Sequence, residues 1–196
     1  MVGGIIVVTA LAVWVSSVSE LSAQPLANVL TDPMTVVVCD RAGVSRADRI
    51  ESREVADRIL KEAHIQMTWL DNRDCVGPQV GSYLTIVILP QRPKDIPSST
   101  LAMGRSTLIG SPYPRAYVFL DRVRRFDGLN RAVNARSNVG ALLGHAITHE
   151  LGHLLGLSHA PAGIMRAEWG REEWKAAVTG RLLFSLARAK SVELLR

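Results

Sequence analysis

The sequence predicts an α/β protein: one domain with a twisted, mixed sheet of about five strands and helices packed on it. Three observations carry this. A branched apolar run at 34–40 precedes an amphipathic helical run at 46–63, and an alternating apolar segment follows at 65–69. A second branched run, 83–89, comes with no helix before it. Late in the chain, 137–155 is apolar over a broad helical face. The 196 residues, 47% hydrophobic and 21% charged, suffice for one full core. No internal repeat or low-complexity tract divides them.

The N-terminus is of another kind. Residues 2–18 are almost wholly apolar, and Ser16, Ser17, Ser19 and Glu20 lead into Leu21-Ser22-Ala23. This predicts a secretory signal peptide over 1–23, cleaved after Ala23, with 24–196 as the mature domain and no stable membrane span. No Lys or Arg precedes the apolar run, so an N-terminal membrane anchor is the competing expectation. The run is short of the ~20 residues that span a bilayer. Losing Glu20 takes the net charge from +5 to +6, a weak pull toward anionic partners. Basic and aromatic residues do not interleave, so no nucleic-acid partner is expected. Oligomeric state is left open.

From there each element has a local reason. Residues 34–40 read as a buried strand, and Ser45 with Asp48 as a helix cap. That helix runs to about Ala63 with Ile50, Val55, Ala56, Ile59, Leu60 and Ala63 inward. His64 at its end reads as a cap or surface residue. Ile65, Met67 and Trp69 alternate as a second strand, and 83–89 is a third, closed by Pro90. Strand, helix, strand, strand predicts a right-handed crossover and a partly parallel sheet. Residues 100–108, interrupted by Gly104, and 116–123 are further strand candidates. Residues 124–136 are charged and aperiodic and read as a surface loop. A nearly buried helix then starts near Ser137 or Asn138, with Gly140, Gly144, Thr148 and Gly152 as a small-residue stripe against sheet backbone. Residues 168–196 read as a long C-terminal helix packed by Trp169, Trp174, Leu182, Leu183 and Leu186, with Gly180 as a kink or break.

The chemistry concentrates in that late helix. His149 and His153 stand one turn apart on one face, with Glu150 beside them as a general base. Gly156 can take the left-handed conformation that ends a helix, returning the chain so that His159 becomes a third ligand. Three imidazoles hold one Zn²⁺ and leave a fourth position for water, as a catalytic site requires. Four of the five histidines fall in this segment. His145, one turn before His149, makes a ladder whose spread along the axis suits a tetrahedral ion poorly. It is assigned a supporting, cleft-wall or packing role.

The motif H-E-L-G-H-L-L-G-L-S-H, followed by Gly163-Ile164-Met165, resembles the metzincin clan of zinc endopeptidases. Within the clan its wording is most similar to the matrixins. The short chain and G-I-M-R-A-x-W ending also resemble small bacterial secreted proteins of predicted protease type. The resemblance implies a metzincin-like fold with an active-site helix, a Met-turn and a C-terminal helix. It places Met165 beneath the metal as a hydrophobic floor. By order along the chain it makes Leu101, Ala102, Met103, Gly104, Arg105 and Ser106 the edge strand that pairs with a polypeptide substrate. An ordinary edge strand without a ligand is the alternative.

Four departures accompany it. Arg166 stands where some members carry a tyrosine, Ala160 stands where matrixins usually carry Ser, and only five residues separate His159 from Met165. The cysteines flanking the archaemetzincin site are absent, which argues against that branch, and no calcium loop is evident. The two cysteines, Cys39 and Cys75, predict one disulfide across 75 − 39 = 36 positions, contributing ~2–4 kcal/mol. A thiolate blocking the metal in a latent form is the weaker reading, because Cys39 sits in a strand and too few residues precede it for a prodomain. The functional expectation is a secreted zinc endopeptidase, with a non-proteolytic zinc-binding interaction module as alternative.

Overall fold

The computed structural model describes residues 34–71, 83–94, 103–106, 114–133 and 135–185. The proposed signal segment, Cys75, Leu101, Ala102 and residues 186–196 lie outside them. The elements in order are β1 (Met34–Asp40), α1 (Arg46–Glu62), β2 (Met67–Asp71), β3 (Tyr83–Leu89), β4 (Gly104–Ser106), β5 (Arg115–Phe119), α2 (Leu120–Asn130), α3 (Val139–Leu154) and α4 (Arg171–Val178).

Among the described residues the five strands form one mixed sheet in the order β2-β1-β3-β5-β4. β1 pairs parallel with β2 and β3, and β3 parallel with β5. Only β4 runs antiparallel, on β5, which leaves it at an edge. Strand alternation divides β1 between two faces. Val36 joins the main core under the helices, while Val37 and Cys39 join Val87 on the opposite face. The Ser45 cap forms as expected: its Oγ accepts from the Asp48 N–H at 3.1 Å.

The sheet, β1, β3 and the Ser45 cap match the sequence reading. Five expectations are corrected. Residues 124–136 are not all loop. The chain leaves β5 at Phe119 and enters α2, whose Leu120, Val123 and Asp127 face inward at helical spacing. One of those three is charged, which hides the period. The strand expected over 116–123 therefore stops at Phe119.

Ile50 is 50% exposed. The buried stripe of α1 passes instead through Ser52, Ala56, Ile59 and Leu60. Gly140 and Gly144 of the small-residue stripe face α1 and not the sheet: a Cβ at Gly144 would lie 2.6 Å from Ser52 O, and one at Gly140 would strike Glu51. Small residues on both helices bring their backbones together, with Ser52 at the contact, while Ile50 lies on the opposite side of α1 by helical pitch.

Last, the C-terminal helix is short. α4 ends at Val178, and Gly180 follows at φ 72°, a left-handed stop. Beyond it Leu182 and Phe184 are buried at alternate positions, an extended pattern, and Leu183 O accepts from Ile164 N–H at 2.8 Å.

Candidate metal centre

α3 lies against β4 and β5 on one side and α1 on the other. It carries His149 and His153 on one face. The helix ends at Leu154, and Gly156 takes φ 89°. Leu157 N–H then reaches back to Gly152 O at 2.9 Å, the six-to-one bond of a glycine-terminated helix. That reversal delivers His159. His153 Nε2 stands 3.1 Å from His149 Nε2 and 3.1 Å from His159 Nε2. Among the described residues these three histidines form the cluster able to hold a metal ion.

Whether they suit a metal is tested by their other nitrogens. His149 Nδ1 lies 2.7 Å from Ile164 O and His153 Nδ1 lies 2.8 Å from Leu157 O. A carbonyl only accepts, so each Nδ1 carries the proton and each Nε2 presents a lone pair. The 3.1 Å His149–His153 contact thus has no proton to share and sets two lone pairs face to face. A cation between them resolves this. Two nitrogens each ~2.0–2.1 Å from a tetrahedral zinc would stand about 3.3 Å apart. Burial pushes His149 down to about 4 and lowers His153, so both rings are neutral at pH 7, the ligating form. The donors fit a zinc ion.

The floor is built from the segment after His159. Met165 is buried, and a Cβ at Gly152 would lie 2.5 Å from its Sδ. That glycine lets α3 settle on the methionine. Ala160 N–H donates to Met165 O at 2.8 Å, closing the five-residue loop. Gly163, at φ 77°, faces Leu183 O where any side chain would collide. Arg166, in the position of the missing tyrosine, is exposed and pairs with Glu173.

Glu150 follows His149 on α3, and its carboxylate lies against Gly104 of β4. It is 4% exposed, its Oε2 meets no hydrogen-bonding partner among the described residues, and burial pushes its carboxyl up to about 8. A divalent cation nearby favours the ionised form and opposes that shift. His145 is not part of the site. It is fully buried, its Nδ1–H donates to Ala141 O at 2.8 Å, and burial lowers it to about 4. Of its three expected roles, core packing is the one it fills. Of the proposed substrate strand, Gly104, Arg105 and Ser106 form β4 and Met103 O accepts from Phe119 N–H at 2.7 Å. Cys39 is buried in β1, and Cys75 lies outside the described residues.

Three contributors escaped the sequence reading. The carbonyls of Ile164 and Leu157 aim two ligands, and a carbonyl has no residue-type signature. The half-buried Trp169 stands edge-on to the His149 ring, centroids 5.8 Å apart. Asp127, 1% exposed, accepts from Asn138 N–H at 3.3 Å, Asn138 Nδ2 at 3.2 Å and Trp174 Nε1 at 3.3 Å, tying the start of α3 to α2 and α4.

No protein family's sequence profile matches this chain, and no curated protein matches it. Solved structures do. The chain superposes on an archaemetzincin from Methanopyrus kandleri with a TM-score of 0.57 at 13% identity, covering 83% of this chain and 95% of that one. It is also similar to metalloproteinase-II from Bacteroides fragilis, TM-score 0.50 at 11% identity, over 84% of this chain and 55% of that longer one. At these identities the likeness is one of fold, and it does not reverse the argument from missing cysteines about the branch. The chain has a metallopeptidase-like fold carrying a histidine triad able to bind a metal.

Proposed function

We propose that this chain is an exported zinc endopeptidase, with Glu150 as general base and His149, His153 and His159 as ligands of one zinc ion. The observation that supports it best is the convergence of three Nε2 atoms, two with their Nδ1 protons already committed to carbonyls. Bound zinc supplies Lewis-acid polarisation of the scissile carbonyl and lowers the pKa of the attacking water. Glu150, buried between α3 and β4, takes up that water's proton and returns it to the leaving amine. The carbonyls of Ile164 and Leu157 keep two imidazoles in the ligating tautomer. β4, at the sheet edge, offers main-chain groups to an extended polypeptide.

The test is cleavage of casein or a quenched peptide by residues 24–196, wild type against Glu150→Ala, with and without chelator. Turnover by the wild type alone, abolished by chelation, supports the reading. Equal cleavage by both proteins sinks it, and stoichiometric zinc without turnover by either assigns the chain to a binding module. N-terminal sequencing of the exported protein checks cleavage after Ala23.

A further inference from the structure

We propose that Gly104 of β4 is a positioning residue for Glu150: its missing side chain is the space in which the carboxylate sits. A Cβ at Gly104 would lie 2.5 Å from Glu150 Oε1 and 2.8 Å from Glu150 Cδ, well inside van der Waals contact. Its other near neighbour would be Tyr117 O at 2.6 Å, a backbone atom of the strand to which β4 is paired. Gly104 is absent from the positive-φ residues, so its backbone does not require glycine. The space does. Nor is the carboxylate tied down elsewhere at both oxygens, since Oε2 is buried with no hydrogen-bonding partner among the described residues. Its place is set by shape, against the strand proposed to carry substrate.

The consequence for catalysis rests on the zinc-peptidase reading, but the contact itself does not. Alanine at 104 meets two obstacles: Tyr117 O, which only a shift of β4 against β5 relieves, and the Glu150 carboxylate, which can swing off on flexible torsions. The second gives way more easily, because a side-chain end moves before a paired backbone does. Position 104 therefore acts through Glu150. The ~1 Å displacement it imposes is of the size that reduces turnover about 100-fold without touching the metal ligands.

A double-mutant cycle separates the contact from the chemistry. Melting temperatures are measured for the zinc-loaded wild type, Gly104→Ala, Glu150→Ala and the double variant. The Tyr117 O collision is present in both backgrounds and cancels. Gly104→Ala is expected to lower the melting temperature by about 2–4 °C more when Glu150 is present than when it is alanine. Equal losses in both backgrounds overturn the contact. Should Gly104→Ala not fold, the Gly104 amide resonance of wild type against Glu150→Ala decides, and an unshifted peak overturns it. For the consequence, Gly104→Ala is expected to lose kcat about 100-fold with KM and zinc content unchanged. A raised KM with kcat preserved assigns Gly104 to substrate pairing and overturns the positioning role. A wild type without peptidase activity leaves the cycle intact and fails only the enzyme reading.

Discussion

Glu150 and His145 lie five positions apart on one helix, both buried, yet their burial serves opposite ends. Glu150 lies against β4, and the proposed reaction gives its carboxylate a proton to carry. Replacing it with glutamine keeps size and shape while removing proton transfer. Glu150→Gln is expected to lose kcat by roughly 10²–10⁴-fold with zinc content intact, by peptide cleavage and metal analysis. His145 faces the core with one nitrogen unpartnered, and burial holds it near 4 against an ordinary 6.5. Its folded pKa is depressed, so between pH 6.5 and about 4 the unfolded chain binds more protons than the folded one. Its stabilising balance is whole above pH 6.5 and is lost as pH falls through that window. Urea unfolding at pH 7 and pH 5 should show His145→Leu losing about 2 kcal/mol less than wild type over the interval. Equal pH slopes for the two proteins would contradict the assignment.

At the scale of elements, the active-site helix is held at both ends by groups outside it. Its start has no side-chain cap of its own from Asn138, and Asp127 of α2 supplies the acceptor. Asp127→Ala leaves Asn138, Trp174 and Arg131 without that acceptor and is expected to cost about 2–4 kcal/mol in urea unfolding. A loss under ~0.5 kcal/mol, as at an ordinary surface site, would show that α3 is anchored otherwise. Its end is a turn at Gly156 that delivers the third ligand. His159→Ala should weaken zinc binding by more than about 100-fold, beyond the loss typical of partners that only orient ligands, with the helix signal in circular dichroism retained. Unchanged affinity would remove His159 from the ligand set.

For the whole molecule, an ion held by the triad would join two parts of the chain: α3, and the segment after Gly156 that also carries Met165. An ion bound only by the folded arrangement stabilises it by about 2.7 kcal/mol at a hundredfold excess over its Kd. Chelation should therefore lower the melting temperature by roughly 5–10 °C. A melting temperature indifferent to chelator would mean that the triad holds no ion in solution.

The motif and the main strands were legible in the residues because their causes are local. The branched apolar runs 34–40 and 83–89, the Ser45–Asp48 cap, the His149–His153 spacing and the Gly156 reversal all act within a few residues, and each stands in the structure as read. What failed was non-local. α2 hid behind a buried Asp127 whose partners include Asn138 and Trp174, 11 and 47 positions away. Gly104 looked like an interruption in a strand, and its meeting with Tyr117 O and with Glu150, 46 residues later (150 − 104), shows why a side chain is excluded there. The candidate ligands could be named from the residues alone, since the His149–His153 spacing follows helical pitch and Gly156 marks the local reversal that brings His159 beside them. The tertiary structure decided what aims and backs them, because carbonyls, close backbone approaches and buried charges find their partners only when distant segments pack together.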